Sequence, residues 1–309
     1  MISRTIERVL VTGAGGFLGR RLVSALADRD ISVVAAGRQI PSEVEMVSDI
    51  AIRGDLADRG VVRKALEALT EKSLPDPSRA AIHLAAAANA QTFTEESPKV
   101  FEENVVRTFE LLEECRRAGV RRFVFPSTGL VYGRGGSEPF TEESLPKPGS
   151  FYAATKFAAE ALVRGFAADY GFSCDIVRLS NVYGPQSGEN TVVGRILRQI
   201  RHGKNIQVCA LSPVRDFIYV DDAASGFVRL FRAGAEPGYR VFNLSTGVGT
   251  SIRELARTAA MVAGRPVMDP DSPSETDADS VILSNDRLAA RTAWKPAWTL
   301  VEGLKHSIQ

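Results

Sequence analysis

Val9-Leu10-Val11-Thr12-Gly13-Ala14-Gly15-Gly16-Phe17-Leu18-Gly19 decides the fold of this 309-residue chain. Residues 9–12 form a short apolar run, and 20–27 carry a helical pattern. Gly13, Gly16 and Gly19 therefore recur at every third position between a strand and a helix. In that context Gly13 turns tightly, Gly16 lets backbone approach a pyrophosphate, and Gly19 lets the helix pack on the strand. The helix start then aims N–H groups at the anion. Gly15, Phe17 and Leu18 complete a candidate dinucleotide loop.

Outward from this loop the same rhythm continues. Apolar runs at 32–36, 51–54, 80–84, 122–126 and 174–179 alternate with longer amphipathic stretches, as in a parallel sheet covered by helices. One such stretch, 105–118, sets Phe109, Leu111, Leu112 and Cys115 opposite Arg107, Glu110, Glu113 and Arg117, and Gly119 closes it. The pattern predicts an α/β chain: a doubly wound parallel sheet, or Rossmann domain, over residues 1–185. Apolar runs at 217–220 and 241–244 predict strands near 215–245 that return to that domain. Residues 186–214 and 246–309 are left for a smaller C-terminal substrate-binding lobe.

About twenty residues past the glycines, such folds present an acid to the ribose of NAD or an Arg to the extra phosphate of NADP. Here the second strand leads into Gly37-Arg38, which tilts the reading toward NADP over NAD. Asp55 and Leu56 follow the third strand. Asp55 is placed either to accept from the adenine amino group or to cap the helix near Arg59.

Composition narrows the partners. Lys plus Arg (38) nearly balance Asp plus Glu (37), so no strong field draws nucleic acid or an anionic membrane. A small molecule is the expected partner. Cys115, Cys174 and Cys209, like His83, His202 and His306, are too scattered for a disulfide framework or metal ligation, and no metal is expected. Charged Arg4, Glu7 and Arg8 run straight into the first strand, unlike a signal peptide, and no apolar run is of membrane-spanning length. A cytoplasmic protein is expected.

In Tyr152-Ala153-Ala154-Thr155-Lys156 the phenol and the ammonium stand four residues apart and share one helix face. A nearby ammonium is expected to pull the phenol pKa down from about 10, so that Tyr152 exchanges a proton while a hydride moves between substrate carbon and nicotinamide. Upstream, Phe125-Pro126-Ser127-Thr128 ends a strand at the sheet edge where doubly wound folds bind ligands, and a hydroxyl there reaches the reacting oxygen.

The run continues as Gly129-Leu130-Val131-Tyr132-Gly133, and with it the chain resembles the extended short-chain dehydrogenase/reductase family of NAD(P)-dependent sugar-nucleotide epimerases, dehydratases and reductases. The matching pieces are 12–19, Asp55-Leu56, His83-Leu84-Ala85-Ala86, Asn104, 127–133, 152–156, 178–185 and 215–222, in the family's order as far as about Leu244. The resemblance implies that Thr128 hydrogen-bonds the oxygen being oxidised or reduced. By the same likeness Tyr152 is the acid/base, and Lys156 tunes it and binds the nicotinamide ribose. Leu84, Ala85 and Ala86 would border the dinucleotide, with Asn104 supporting the site. Asn181 would face the substrate, and Arg215 would meet a substrate phosphate. A homodimer is also implied, through helices such as 105–118 and the one bearing Tyr152.

A 4,6-dehydratase of this family carries Asp-Glu directly after the catalytic hydroxyl residue, where this chain has Gly129-Leu130, so dehydration by that route is not expected. A UDP-glucose 4-epimerase-like reaction through a transient ketone ranks first. An NADPH-dependent 4-keto-sugar-nucleotide reductase is the alternative, and a non-catalytic dinucleotide-binding protein is the third reading. Two departures bear on the substrate. Residues 210–214 replace a glycine-rich stretch, and Ser274-Glu275-Thr276-Asp277 stands where the family has an Arg before Gly-Asp.

Overall fold

The computed structural model describes residues 7–71, 79–87, 97–135, 139–208, 211–268 and 279–309. Cys209, Ala210 and residues 274–277 lie outside them.

The main sheet takes β1 (Arg8–Thr12), β2 (Ser32–Gly37), β3 (Ile50–Arg53), β4 (Arg79–His83), β5 (Arg122–Thr128) and β6 (Ser173–Leu179) in chain order. Three short strands follow: β7 (Asn181–Tyr183), β8 (Ile206–Gln207) and β9 (Val214–Tyr219). The chain then returns to the main sheet as β10 (Gly238–Leu244). Among the described residues the sheet is seven parallel strands in the order β10-β6-β5-β4-β1-β2-β3. The doubly wound expectation holds. Strand order reverses between β1 and β4, which opens a crevice at their carboxyl ends.

The pleat of β1 explains why helices cover both faces. Val9 and Val11 pack with Leu22, Leu26, Phe227 and Phe231 from helices Phe17–Ala27 and Val220–Arg232. Leu10 points the other way, among Leu66, Leu111, Val163 and Phe166 from helices Arg59–Thr70, Arg107–Arg117 and Phe151–Tyr170. Each fully buried side chain of this kind contributes about 1.5–3 kcal/mol.

A third core gathers Ile196, Leu197, Phe217, Tyr219, Leu255 and Leu304 around helices Val192–Arg201, Ile252–Ala263 and Leu300–Ile308. The last strands, β11 (Gly249–Ser251), β12 (Val267–Met268) and β13 (Ser280–Val281), belong to this lobe. There β9 pairs with β11, β13 and β7, and β12 pairs with β8. This corrects the expectation for 217–220: the stretch enters the smaller sheet, and of the expected return strands β10 is the one that joins β6. Alternation along β9 is the reason. Phe217 and Tyr219 face the lobe core while Ile218 between them packs into the main core.

The helix expected at 105–118 starts earlier, at Ser97, and passes through a π turn at Glu102–Val106 before Arg107–Arg117. A π turn shifts the apolar stripe out of phase, so a 3.6-residue period read backwards from Leu111 fails at that point.

Candidate active site

The glycine loop is shaped by close backbone approach. Gly13 has φ +68°, and a Cβ there would lie 2.6 Å from the Ala85 nitrogen. A Cβ on Gly19 would lie 2.2 Å from the Gly13 carbonyl oxygen, so the helix can sit this close to the loop only without one. That helix, Phe17–Ala27, starts at Gly16 with no side chain capping it and no acidic residue in its first turn. An uncapped helix start of this kind leaves N–H groups that could meet an anion such as a pyrophosphate. Phe17 and Leu18 turn the other way and pack on the lobe core.

Beside the loop opens a cleft of about 620 Å³. Gly13, Gly15 and Gly16 form one wall, Leu84, Ala85 and Ala86 after β4 form another, and Arg38, Asp55 and Leu56 line the far end. Its size and its N–H-rich wall fit a dinucleotide.

Thr128 closes β5, and its hydroxyl accepts from the Leu130 N–H at 3.3 Å as a 3₁₀ turn begins. Helix Phe151–Tyr170 opens on Ser150, whose hydroxyl accepts from the Ala153 N–H at 3.2 Å, and puts Tyr152 in its first turn. Lys156 follows one turn later, 4% exposed, with its ammonium 4.2 Å from the centre of the Phe125 ring. Burial pulls Lys156 down to about 7, and Glu160 works against that pull. Burial pushes Tyr152 up to about 12. The expected lowering of the phenol is therefore corrected: burial, which disfavours the phenolate, moves it the other way.

Asn104 sits on the π turn and ties two walls together. Its side-chain oxygen accepts from the Ala87 N–H at 2.9 Å, and its NH2 donates to the Thr155 hydroxyl at 3.1 Å. Thr155 lies between Tyr152 and Lys156 and donates to the Tyr152 carbonyl at 2.9 Å. The segment after β4 and the helix bearing Tyr152 and Lys156 are thus braced by one buried amide. Beneath them His83 Nδ1 lies 2.7 Å from the Thr12 hydroxyl. Burial, then the Lys156 charge, push this imidazole down to about 3.

Four candidates have partners that the sequence did not disclose. Arg38, largely exposed, is 3.5 Å from Glu103. Asp55 accepts from the Ala57 N–H at 2.9 Å, and it is Asp58 that caps helix Arg59–Thr70, so Asp55 is not the cap. Asn181 begins β7, half-buried beside Phe217. Arg215 is engaged by Asp279, at 2.8 Å to the carboxylate and 2.7 Å to the carbonyl. Among the described residues no three His, Cys, Asp or Glu side chains converge as metal ligands. No described helix is long and apolar enough to cross a membrane.

A family model described as "NAD dependent epimerase/dehydratase family" matches residues 9–245, from β1 through the end of β10. The chain belongs to that family. Among curated proteins it is 32% identical over 311 residues to a UDP-glucose 4-epimerase of Mycolicibacterium smegmatis, covering 98% of this chain and 97% of the other. Among solved structures it resembles MoeE5 in complex with UDP-glucuronic acid and NAD (TM-score 0.85, 30% identity). It also resembles the UDP-glucose 4-epimerase of Thermus thermophilus in complex with NAD (TM-score 0.83, 30% identity). Each of these two alignments covers 97% of both chains. This epimerase/dehydratase chain is an enzyme of the extended short-chain dehydrogenase type.

Several cleft residues escaped the sequence reading. Lys99, Glu102, Glu103 and Arg107 line it from the segment around the π turn, ahead of or at the start of the expected helix. Gln39 lines it too, beside Arg38. The Ser97-Pro98 pair, a capping residue followed by a proline suited to a first helical turn, was the available signal for that earlier start.

Proposed function

We propose that this chain is a UDP-sugar 4-epimerase that retains NAD and works through a 4-keto sugar. One observation carries the reading. Thr128, Tyr152 and Lys156 stand at the carboxyl edge of β5 and on the adjoining helix, and the 3₁₀ turn after Thr128 holds Gly129 and Leu130 in place of a carboxyl pair. Neither Gly129 nor Leu130 offers a carboxyl acid or base for the removal of water. Dehydration is disfavoured on that ground, although dTDP-D-glucose 4,6-dehydratases are also relatives, at 25–26% identity.

In this reading Tyr152 takes the proton of the sugar 4-hydroxyl and returns it to the same oxygen once the ketone has been reduced from its opposite face. Thr128 donates to that oxygen, and Lys156 holds the ribose and supplies positive charge beside the phenol. NAD supplies a hydride acceptor that gives the hydride back. Burial holds the Tyr152 phenol above its ordinary value, and the positive nicotinamide ring of NAD would favour the phenolate when bound.

The choice of NAD over NADP rests on two supports. The solved relatives named above hold NAD, and the Arg38 guanidinium is directed to Glu103, whose carboxylate would repel a 2′-phosphate. The Arg38 position itself favours NADP, and titration of both cofactors against wild type and Arg38→Ala decides between them. The proposal includes residues 186–214 and 246–309 as the substrate lobe and a homodimer through the helices around 97–117 and 151–170. On that face Phe101, Phe109 and Tyr170 are half exposed. Light scattering of wild type against Phe109→Glu tests the dimer.

The deciding experiment combines mass spectrometry of the cofactor released from purified protein with turnover of UDP-glucose, UDP-galactose and related nucleotide sugars, with and without NADPH. Retained NAD and interconversion without net redox are expected. Stoichiometric NADPH consumption would make the protein a keto-sugar reductase instead.

A further inference from the structure

Glu160 is fully buried, one helical turn beyond Lys156 and two beyond Tyr152, on the same helix face. Its carboxylate has an unusually full set of partners for a residue outside the reacting groups. Oε1 accepts from the Ser127 hydroxyl at 2.6 Å and from Arg178 Nε at 3.1 Å, and Oε2 accepts from Arg178 Nη2 at 2.7 Å. Arg164, on the helix itself, approaches Oε2 at 3.4 Å.

These partners sit on two different strands. Ser127 and Arg178 are cross-strand neighbours at the carboxyl ends of β5 and β6, and Ser127 immediately precedes Thr128. Arg178, 1% exposed, is held from above by the Tyr132 ring, 4.7 Å from its guanidinium carbon. Tyr132 in turn donates to the Asn243 side-chain oxygen at 2.8 Å, which brings β10 into the same network.

A buried ion pair of this kind is weak evidence for stability, since apolar residues fill such a place as well or better. A charge is worth its desolvation where another charge depends on it, and Lys156 is that charge. Around the Lys156 ammonium stand the Phe125 ring from β5 and the neutral His83 from β4; Glu160 is the anion that opposes its loss of a proton.

We infer that Glu160 is a positioning residue: its one carboxylate clamps the strand ends bearing Ser127 and Arg178 to the helix bearing Tyr152 and Lys156, and provides the counter-charge that keeps the Lys156 ammonium inside the protein. Thr128 is thereby held at a fixed distance from the phenol. The inference rests on the epimerase reading only for its kinetic arm.

The test has two arms. In protein labelled with ¹³Cε-lysine, the Lys156 resonance is identified by its loss in Lys156→Met and titrated in wild type and Glu160→Gln. The midpoint, about 7 in wild type, is expected to fall by roughly half a unit or more. Should Glu160→Gln fail to fold, Glu160→Gln/Arg178→Met is titrated against Arg178→Met, so that the two proteins differ in the Glu160 charge alone. In the kinetic arm Ser127→Ala removes a single donor to Glu160. Its kcat should fall about tenfold with KM and NAD affinity within about twofold, because ground-state binding does not need the clamp and in-line geometry does. A midpoint moved by less than 0.2 unit (~0.2 as the resolvable limit) overturns the counter-charge role. A kcat within about twofold of wild type overturns the clamp, leaving a packing role read only as a lower Tm. If wild type turns over no nucleotide sugar, the epimerase reading fails while the Lys156 titration still decides this inference.

Discussion

Arg215 and Asp279 form a two-point contact, with the guanidinium 2.8 Å from the carboxylate and 2.7 Å from the backbone carbonyl of the same residue. Both side chains are mostly buried, and Arg134 approaches the same carboxylate at 3.6 Å. A substrate phosphate that recruits Arg215 must compete with this contact. Asp279→Asn is therefore expected to lower KM for a UDP-sugar about threefold, and Arg215→Met to raise it about tenfold with kcat little changed. Steady-state kinetics on both variants checks this. A rise in KM in both would mean that the pair is a strut of β9 and β13 and not a phosphate clamp held in reserve.

Tyr152→Phe removes the hydroxyl proposed to carry the proton and keeps the ring. Turnover should fall by about 10³-fold while NAD affinity, measured by calorimetry, stays within about threefold. Activity within tenfold of wild type would assign the proton to another group.

The glycine loop tolerates no Cβ at Gly15 or Gly19. On Gly15 it would fall 1.8 Å from the Gln39 carbonyl oxygen, and on Gly19 2.2 Å from that of Gly13. Neither contact is with a flexible side chain, so backbone must move. Gly19→Ala should cost about 1–3 kcal/mol and strip the protein of its cofactor. Thermal unfolding and absorbance of the released dinucleotide report both effects.

Two buried bases shape the pH dependence of stability. His83 is held down to about 3, so from its ordinary value near 6.5 down to 3 the unfolded chain takes up a proton that the folded chain does not. Stability from this group falls as pH falls through that window. Lys156 at about 7 acts between 7 and its ordinary value near 10.5, where the unfolded chain again holds the extra proton, so stability rises with pH there. The gain of Lys156→Met over wild type in chemical unfolding is therefore expected to be larger at pH 6 than at pH 9. An equal gain at both would mean that the ammonium titrates at its ordinary pKa.

The sequence alone determined the doubly wound plan, the glycine loop and the placing of Tyr152 and Lys156 one turn apart on one helix, because these are local. A strand turns into a helix through glycines at fixed spacing, and two groups four residues apart share a helix face whatever surrounds them. Thr128 was legible for a related reason, at the end of a strand that had to finish on the ligand edge.

What only the tertiary structure decided depends on residues far apart in the chain. Asn104 reaches Thr155 across 51 positions, His83 reaches Thr12 across 71, and Arg215 reaches Asp279 across 64. No period or motif predicts such pairings. The pKa of Tyr152 belongs to the same class: helix spacing led to the expectation of a lowered phenol, whereas burial raises it to about 12. Desolvation is a property of the assembled interior, and no neighbour in sequence carries it.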